Sequence, residues 1–257
     1  MRRTPEPDVA VRTDDLSIAR GGVRVVEGVS LVVPRGAALA VMGPTGAGKS
    51  TLLTFLAGVG DDGLAPVGGS AAVEGIDARR PGRARRQWTY VVGHLPQRAG
   101  ADLPSRLTVS EVISEPVTSR DRRVNARALA LRVATLLDEM QLPLGAAAKY
   151  PYELSAGMRQ RVALARALVL DPRVLVADDP YANLDVEVRL AARDAILRRR
   201  DGYGMAALLV TNDAETAREL SADVLVMRSG RPVAFGHDAA ELLWTPDGED
   251  APRAGAR

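Results

Sequence analysis

The sequence predicts an α/β fold built around a parallel β-sheet. Short, continuous apolar runs recur at residues 37–42, 174–177 and 206–210, as expected for strands that are buried on both faces. Segments with apolar residues at helical spacing lie between these runs. A glycine-rich loop at residues 43–48 joins the first apolar run directly to a helix. Strands and helices that alternate in this way are typical of one α/β domain.

The N-terminal part of the chain predicts a small sheet followed by this strand–loop–helix unit. Residues 16–33 mix β-branched and polar side chains around the turn-like Arg20-Gly21-Gly22. The loop leads into a helix predicted at residues 49–58, which ends at Gly58. A connection rich in Gly and Arg follows, and residues 89–93 then predict another strand.

The middle of the chain is predicted to be helical. Thr108 and Glu111 have the spacing of a capping box, which opens a helix. Asn125 is a candidate N-cap, and apolar residues recur at helical spacing after it until Pro143 ends the pattern. A further helix is predicted at residues 156–170, before the second buried strand.

The C-terminal part continues the alternation. Helices are predicted at residues 186–200 and 214–220, on either side of the strand at 206–210. A hairpin is predicted around the turn at residues 229–231. Residues 245–257 are rich in Pro, Gly and charge and are predicted to form a disordered tail.

Length and composition indicate one domain without a disulfide framework. The chain has 257 residues, of which 46% are hydrophobic, and no shift in composition divides it into two halves. The absence of cysteine excludes cysteine-ligated metal sites and a thiol nucleophile, and it suits a cytoplasmic location. The N-terminus lacks the apolar core of a secretory signal, and no apolar stretch is long enough to span a bilayer. Any membrane role is therefore expected to be peripheral.

The charges indicate a solvated surface, and no nucleic-acid partner is expected. The 34 Lys and Arg residues nearly balance 32 Asp and Glu residues, and the arginines are scattered apart from short runs. Lys49 and Lys149 are the only lysines in the chain. In a chain with so many arginines, a lysine is expected at a position where arginine cannot perform the same function. Lys49 is the candidate for such a position.

The glycine-rich loop matches the P-loop pattern and lies between the strand and the helix that the pattern requires. Its glycines let backbone N–H groups wrap a phosphate chain at the N-terminus of the helix. In such a loop, the lysine reaches the β- and γ-phosphates and the following hydroxyl faces Mg²⁺. The residues predicted to bind ATP here are Gly43, Pro44, Thr45, Gly46, Ala47, Gly48, Lys49, Ser50 and Thr51.

A second element of a nucleotide site lies at Asp178. This carboxylate ends the apolar strand at residues 174–177, which is where a P-loop protein holds Mg²⁺ and its waters. A strand that ends in Asp is a weak signal alone, but it gains weight beside a P-loop. Ser50 and Asp178 are therefore predicted to ligate Mg²⁺.

The segment in front of the helix at residues 156–170 resembles the signature motif of ABC (ATP-binding cassette) ATPases. It reads Leu154-Ser155-Ala156-Gly157-Met158-Arg159-Gln160-Arg161-Val162. Other landmarks follow the family's order: Gln97 resembles its Q-loop, residues 182–185 its D-loop and residues 209–213 its switch region. The resemblance covers about residues 9–245, which are expected to form the domain, with flexible tails at 1–8 and 246–257.

The resemblance implies an α/β P-loop NTPase core with an antiparallel β-subdomain and an inserted helical subdomain at about residues 98–170. It also implies a head-to-tail dimer that holds two ATP molecules, each between one subunit's P-loop and the other's signature. Ser155, Ala156, Gly157 and Asp185 would contact nucleotide in this way, and Gln97 would contact the metal and sense transmembrane permease subunits. The expected cofactors are ATP and Mg²⁺, and the expected location is the inner face of the cell membrane.

The sequence departs from the family where hydrolysis takes place. Asp179 replaces the glutamate that orients or deprotonates water, and Asn212 replaces the switch histidine. A carboxylate shifted by about 1.5 Å and a lost phosphate contact each predict a rate lower by about 10²-fold or more. Both residues, with Gln97, are the candidate catalytic residues. Arg20 aligns with the aromatic residue that stacks on adenine, where its guanidinium either stacks or is solvated.

The signature is better preserved than the hydrolytic residues, because Ser155 and Gly157 remain although Ala156 and Met158 differ from the usual residues. This asymmetry favours a heteromeric pair, in which this chain's own site is slow and its signature completes a partner's site. A slow homodimer is the rival interpretation. A non-hydrolysing regulatory cassette and a soluble non-transport ABC ATPase also stay open. The amino-acid sequences of residues 150–161 and 224–230 resemble those of the oligopeptide and nickel import branch of the family.

Overall fold

The computed structural model describes residues 8–59, 63–121 and 123–237. The predicted N-terminal tail lies outside them except for Asp8, as does the predicted C-terminal tail with residues 238–245. The described strands are β1 (Val9–Arg20), β2 (Val23–Pro34), β3 (Ala38–Met42), β4 (Leu64–Val73), β5 (Ile76–Asp77), β6 (Val92–Leu95), β7 (Val174–Asp178), β8 (Ala206–Val210), β9 (Asp223–Arg228) and β10 (Arg231–Gly236). The α-helices are α1 (Lys49–Leu56), α2 (Arg85–Val91), α3 (Val109–Thr118), α4 (Ala126–Glu139), α5 (Ala156–Leu168), α6 (Val186–Tyr203) and α7 (Ala214–Glu219).

The central sheet brings the carboxyl ends of its parallel strands to one edge. Its order is β10-β9-β3-β8-β7-β6, and only β10 runs antiparallel to its neighbour. Near this edge Leu95 pairs with Ala177, while Val210 lies beside both Asp178 and Val41. All residues of β3, β7 and β8 are buried, which explains their continuous apolar sequences. The predicted α/β core is confirmed.

A second, antiparallel sheet has the order β2-β1-β4-β5. The sheet predicted at residues 16–33 is confirmed and is longer than predicted. The interpretation of the following Gly- and Arg-rich segment as a plain connection was wrong, because it contains β4 and β5. β4 consists largely of Gly, Ala, Pro and Ser and has little strand propensity of its own. Its pairing along β1, from Val11 with Val73 to Arg20 with Leu64, makes it a strand.

The strand predicted at residues 89–93 was wrong in its first half, because α2 continues to Val91 and β6 begins only at Val92. The reason is a tertiary contact of Trp88, which is 3% exposed. Its indole lies against Gly58, where a Cβ atom would come within 2.7 Å of the ring, and its Nε1 donates to the carbonyl of Leu56 at 3.2 Å. Packing against the end of α1 therefore holds this segment as a helix.

Helices α3, α4 and α5 lie between Gln97 and β7, together with short 3₁₀ turns at Leu144–Ala148 and Pro151–Glu153. The capping box is present: Thr108 N–H donates to Glu111 Oε2 at 2.7 Å, and Glu111 N–H donates to Thr108 Oγ1 at 3.3 Å. Asn125 caps α4, where its Oδ1 accepts from Ala128 N–H at 3.0 Å. The predicted helical middle of the chain is confirmed.

The later elements match their predictions to within three residues, including α6, α7 and the hairpin of β9 and β10. Within the described ranges, no helix is both long and apolar enough to cross a membrane.

Replacement of Asn125 with alanine is expected to lower the free energy of unfolding by about 0.5–2 kcal/mol, because Ala128 N–H loses its capping acceptor. Urea unfolding followed by circular dichroism measures this change. Arg127→Ala, at an exposed position of the same helix, serves as the control and is expected to change stability by less than about 0.5 kcal/mol. Equal stability of Asn125→Ala and the wild type would contradict the cap assignment.

Candidate functional site

The predicted P-loop connects β3 to α1 and forms an open cradle. Gly46 and Gly48 have φ angles of 81° and 93°, in the left-handed region that suits glycine. Nothing lies within 4 Å of a Cβ built on Gly46, so the mouth of the loop is open. Thr45 and Ser50 are exposed at this mouth, and Thr51 follows in α1. The loop leaves room for a phosphate chain at the N-terminus of α1, where backbone N–H groups favour an anion.

The back of the loop packs against two segments whose role the sequence did not indicate. A Cβ at Gly43 would lie 2.1 Å from the carbonyl oxygen of Met227, and one at Gly48 would lie 2.7 Å from that of Val25. Gly230 N–H donates to the carbonyl of the buried Ala47 at 3.1 Å. The turn between β9 and β10 therefore supports the cradle from behind. The sequence predicted Gly230 only as part of this hairpin turn, and not as a support of the loop.

Lys49, the first residue of α1, contacts the backbone at the start of the loop. Its Nζ donates to the carbonyl oxygens of Gly43 at 2.6 Å and Pro44 at 2.9 Å. Burial lowers the pKa of Lys49, while the negative charges of Asp178 and Asp179 oppose this shift. The ammonium group thus stands between the loop and two carboxylates. A lysine in this place can reach phosphate oxygens without a large rearrangement.

Ser50 and Asp178, the predicted metal ligands, lie side by side. The Ser50 hydroxyl donates to the carboxylate of Asp178, which is 7% exposed. Burial raises the pKa of Asp178, and the Ser50 hydrogen bond and the charge of Lys49 oppose this shift. A hydroxyl and a carboxylate are oxygen ligands of the kind that Mg²⁺ prefers.

The donor set fits Mg²⁺ only in combination with a phosphate ligand. Among the described residues, no group of three or more His, Cys, Asp or Glu side chains is arranged to hold a metal ion. Mg²⁺ is usually bound through one or two protein groups, several waters and substrate phosphates. Ser50 and Asp178 meet that requirement at the mouth of the cradle. Mg²⁺ bound there would neutralise charge on the phosphates.

Asp179 follows Asp178 in an unusual backbone conformation. Its φ angle is 48°, in the left-handed region, and its N–H donates to the carbonyl of Val210 at 3.0 Å. Burial raises the pKa of Asp179, and the neighbouring charge of Asp178 raises it further, whereas Lys49 lowers it. Asp179 therefore shares the electrostatic environment of Asp178 and Lys49 at the same sheet edge.

Asn212 reaches the loop from the end of the neighbouring strand β8. Its side-chain Oδ1 accepts a hydrogen bond from Gly43 N–H at 3.1 Å. Gly43 and Asn212 are far apart in sequence and meet because β3 and β8 are adjacent and parallel. The amide Nδ2 is the part of Asn212 that could donate to a phosphate.

The segment after Asn212 is held by an ion-pair cluster that the sequence did not indicate. Arg189 of α6 donates to Asp213 Oδ2 at 2.7 Å and to Glu219 Oε2 at 3.1 Å, and its guanidinium lies 5.3 Å from the centre of the Tyr181 ring. Asp213 also accepts from the Thr216 hydroxyl at 2.8 Å. This cluster connects α6 and α7 to the residues that flank Asp179 and Asn212. Arg189 lies 24 or more residues before the carboxylates that it contacts, so local spacing could not reveal the cluster.

Gln97 lies in the turn after β6, at the same edge of the sheet. Its side chain is exposed, and the turn is closed by a hydrogen bond from Ala99 N–H to the Pro96 carbonyl at 3.0 Å. Because β6 is adjacent and parallel to β7, Gln97 and Asp178 follow neighbouring strand ends. The structure thus brings Gln97 to the predicted edge without showing it in contact with the carboxylates.

Arg20 lies at the end of β1, opposite Val23, and is exposed at the β1–β2 turn. Gly21 of this turn donates to the Gly63 carbonyl at 3.0 Å. Val25, farther along β2, touches Gly48, so the turn extends from the strand that borders the cradle.

The signature residues form an exposed second surface. Ser155 is the N-cap of α5, where its Oγ accepts from Met158 N–H at 3.2 Å, and Ala156 begins the helix. Gly157 lies against the D-loop segment, since a Cβ there would come within 2.8 Å of the Asn183 carbonyl oxygen. Asp185 caps α6 through Val188 N–H at 3.1 Å. In the part of the chain that the structure describes, no hydrogen bond or ion pair joins Ser155, Ala156, Gly157 or Asp185 to the P-loop.

The sequence matches known proteins along most of its length. The profile of a family described as "ABC transporter" matches residues 26–182. The oligopeptide transport ATP-binding protein OppD of Mycobacterium tuberculosis is 35% identical over 90% of this chain and 37% of its own length. The Fe(3+) ions import ATP-binding protein FbpC of Pseudomonas fluorescens is 37% identical over 84% of this chain and 58% of its length. The chain thus spans less than two thirds of these relatives.

Solved structures share the fold. The dimeric cassette MJ0796 has a TM-score of 0.78 at 23% identity, covering 88% of this chain and 97% of that chain. The cbiO1 protein of Clostridium perfringens, described as part of the complex cbiONQ, has a TM-score of 0.74 at 24% identity, covering 90% of this chain and 89% of that chain.

Proposed function

Because this chain belongs to the ABC transporter family, we propose that it binds and hydrolyses MgATP and couples this cycle to solute transport through a membrane permease. The observation that carries the proposal is the meeting of Lys49, Ser50, Asp178 and Asp179 at one edge of the sheet, around the open cradle. Cation, hydroxyl and carboxylates are the groups that phosphoryl transfer to water requires.

Each group has a part in the proposed reaction. Lys49 would exchange its contacts with the Gly43 and Pro44 carbonyls for phosphate oxygens, and the N–H groups of the loop would face the same charge. Asp179 would orient the attacking water and accept its proton in the ionised form. Asn212 would donate to the γ-phosphate through Nδ2.

The proposed active assembly is a pair of cassettes. Ser155 and Ala156, at the start of α5, are exposed, and no hydrogen bond or ion pair among the described residues joins them to the P-loop of the same chain. A second cassette could present its nucleotide to this surface, and the fold is shared with a dimeric cassette. We place the domain at residues 9–245, with its helical subdomain at about 98–170, and expect Gln97 to sense the permease on the cytoplasmic side of the membrane.

A heteromeric partner is favoured over a second copy of this chain. Asp179 and Asn212 replace the family's usual hydrolytic residues, whereas Ser155 and Gly157 keep the phosphate contact of the signature. The site on this chain's P-loop is therefore proposed to be slow, and its signature is proposed to serve a faster partner site. If Asp179 cannot activate water at all, the chain is a regulatory, non-hydrolysing cassette.

Import is the favoured direction of transport. The relatives from Pseudomonas fluorescens and Gloeobacter violaceus are named as Fe(3+) ions and sulfate/thiosulfate import proteins. The OppD relative is named for oligopeptide transport. Because these names differ in cargo, they support an import cassette and leave the solute to the permease and its binding protein.

The purified chain is expected to bind MgATP and to release phosphate more slowly than about 1 s⁻¹. Calorimetry measures binding, and a phosphate sensor measures turnover, with EDTA as the metal-free control. Proteoliposomes that contain the complete transporter should move solute only with ATP on the cassette side. Lack of ATP binding, or solute movement that does not depend on ATP, would contradict the proposal.

A further inference from the structure

A buried glutamine connects the signature helix to the loop that carries Asp179. Gln160 lies in the first turns of α5 and is 3% exposed. Its Nε2 donates to the carbonyl oxygens of Asp179 and Pro180, both at 3.3 Å. A carbonyl oxygen can only accept a hydrogen bond, so both carbonyls must face the side-chain NH₂ group of Gln160. Gln160 is therefore the donor in both bonds. A buried amide engaged in this way is costly to remove.

The carbonyl that Gln160 contacts belongs to a residue with an uncommon backbone conformation. Asp179 has a φ angle of 48°, in the left-handed region that few non-glycine residues adopt. Its N–H is held by the Val210 carbonyl at 3.0 Å, and its own carbonyl is held by Gln160. Both peptide groups of Asp179 are thus held by a hydrogen bond, one to β8 and one to α5. The direction of its carboxylate depends on both.

The start of α5 has no room to shift independently of its neighbours. A Cβ on Gly100, in the loop after Gln97, would lie 2.7 Å from the Gln160 backbone nitrogen. A Cβ on Gly157 would lie 2.8 Å from the Asn183 carbonyl oxygen, four residues after Asp179. Movement of α5 would therefore displace the segment that follows Asp179. The hydrogen bonds of Gln160 to the Asp179 and Pro180 carbonyls connect α5 to this segment directly.

We propose that Gln160 is a positioning residue, which keeps the Asp179 carboxylate directed at the nucleotide site and passes movement of the signature segment to it. This inference rests on the proposed ATP hydrolysis. It adds a coupling between two groups of one chain that act on different nucleotides. The signature would contact the nucleotide bound to the partner's P-loop, whereas Asp179 would act on the nucleotide bound to this chain's P-loop. Closure at one nucleotide would then adjust the water-activating group at the other.

Gln160→Met, which keeps the length of the side chain but removes the donor, tests the coupling. Single-turnover hydrolysis by this variant is expected to be about 10-fold slower or more, because a displacement of about 1 Å at a catalytic group can cost about 100-fold. The Kd for MgATP should stay within about twofold, because Gln160 does not touch the P-loop residues. In an Asp179→Asn background the same substitution should slow hydrolysis no further, since it acts through that carboxylate.

Hydrogen exchange of the wild type and Gln160→Met without nucleotide gives a second measurement, which does not depend on turnover. The amide of Asp179 should exchange at least about 10-fold faster in the variant, because one of its two anchors is lost. Gln87→Met makes the same chemical change at an exposed position of α2 and should alter neither rate.

Unchanged exchange at Asp179 in Gln160→Met would overturn the inference, as would an equal slowing in the Asp179→Asn background. A wild type that binds no ATP would instead contradict the proposed function, while the exchange measurement would still decide the role of Gln160. If Gln160→Met does not fold, Gln160→Leu also removes the donor and allows the same comparison, with Gln87→Leu as its control.

Discussion

Replacement of Lys49 with alanine is expected to weaken MgATP binding by about 100-fold or more. Lys49 Nζ is already held at the mouth of the P-loop by two carbonyl oxygens, at 2.6 and 2.9 Å, and faces Asp178 and Asp179. Each charge-assisted hydrogen bond to a phosphate contributes about 1.5–3 kcal/mol, and two such bonds correspond to about 100-fold in Kd or more. Isothermal titration calorimetry with MgATP measures the loss.

The chain offers a matched control for this substitution. Lys149, its only other lysine, is exposed and precedes the turn at Pro151–Glu153. Lys149→Ala should leave the Kd within about twofold of the wild type, because an exposed charge outside the cradle contributes little at ordinary ionic strength. Equal affinities of Lys49→Ala and Lys149→Ala for MgATP would contradict the assignment of the loop as a phosphate cradle.

Restoration of the family's usual residues by Asp179→Glu and Asn212→His is expected to raise turnover at this chain's own site by about 10- to 100-fold. The extra methylene extends the carboxylate toward water by about 1.5 Å. A histidine at position 212 could accept from Gly43 N–H as Asn212 Oδ1 now does, while its second ring nitrogen donates to the γ-phosphate. Steady-state phosphate release by the isolated double variant measures the gain.

In the assembled heteromer the same double substitution should matter less than Ser155→Arg, which is expected to lower the complex's turnover by about 100-fold. The arginine would fill the exposed N-terminus of α5, where the partner's phosphate is proposed to bind. Ser155→Ala is the comparison variant, because it removes the cap on Met158 N–H and the proposed phosphate contact of the hydroxyl but adds no bulk. It is expected to lower turnover less than Ser155→Arg. A wild-type chain that alone turns over at about 1 s⁻¹ or faster, or a Ser155→Arg complex at full rate, would show that the asymmetric pair is wrong.

Local sequence was sufficient where a short segment determines its own structure. Three such features were recognisable: the glycines of the P-loop, the capping box of Thr108 and Glu111, and the cap at Asn125. In each, the backbone conformation or hydrogen bond depends only on residues a few positions apart. Buried parallel strands were equally clear, since burial on both faces demands continuous apolar residues. The candidate residues that follow strand ends accordingly lie at the carboxyl edge of the central sheet.

Tertiary packing decided the features that no local segment determines. β4 is a strand because β1 pairs with it, and α2 extends to Val91 because Trp88 packs against Gly58. The contact of Gly43 with Asn212 and that of Gln160 with Asp179 each join residues from different parts of the fold. Hydrogen bonds between such residues depend on which strands are neighbours and where a helix begins. The chemical groups of the candidate site can thus be recognised in the amino-acid sequence, whereas the contacts that hold these groups in place depend on the tertiary fold.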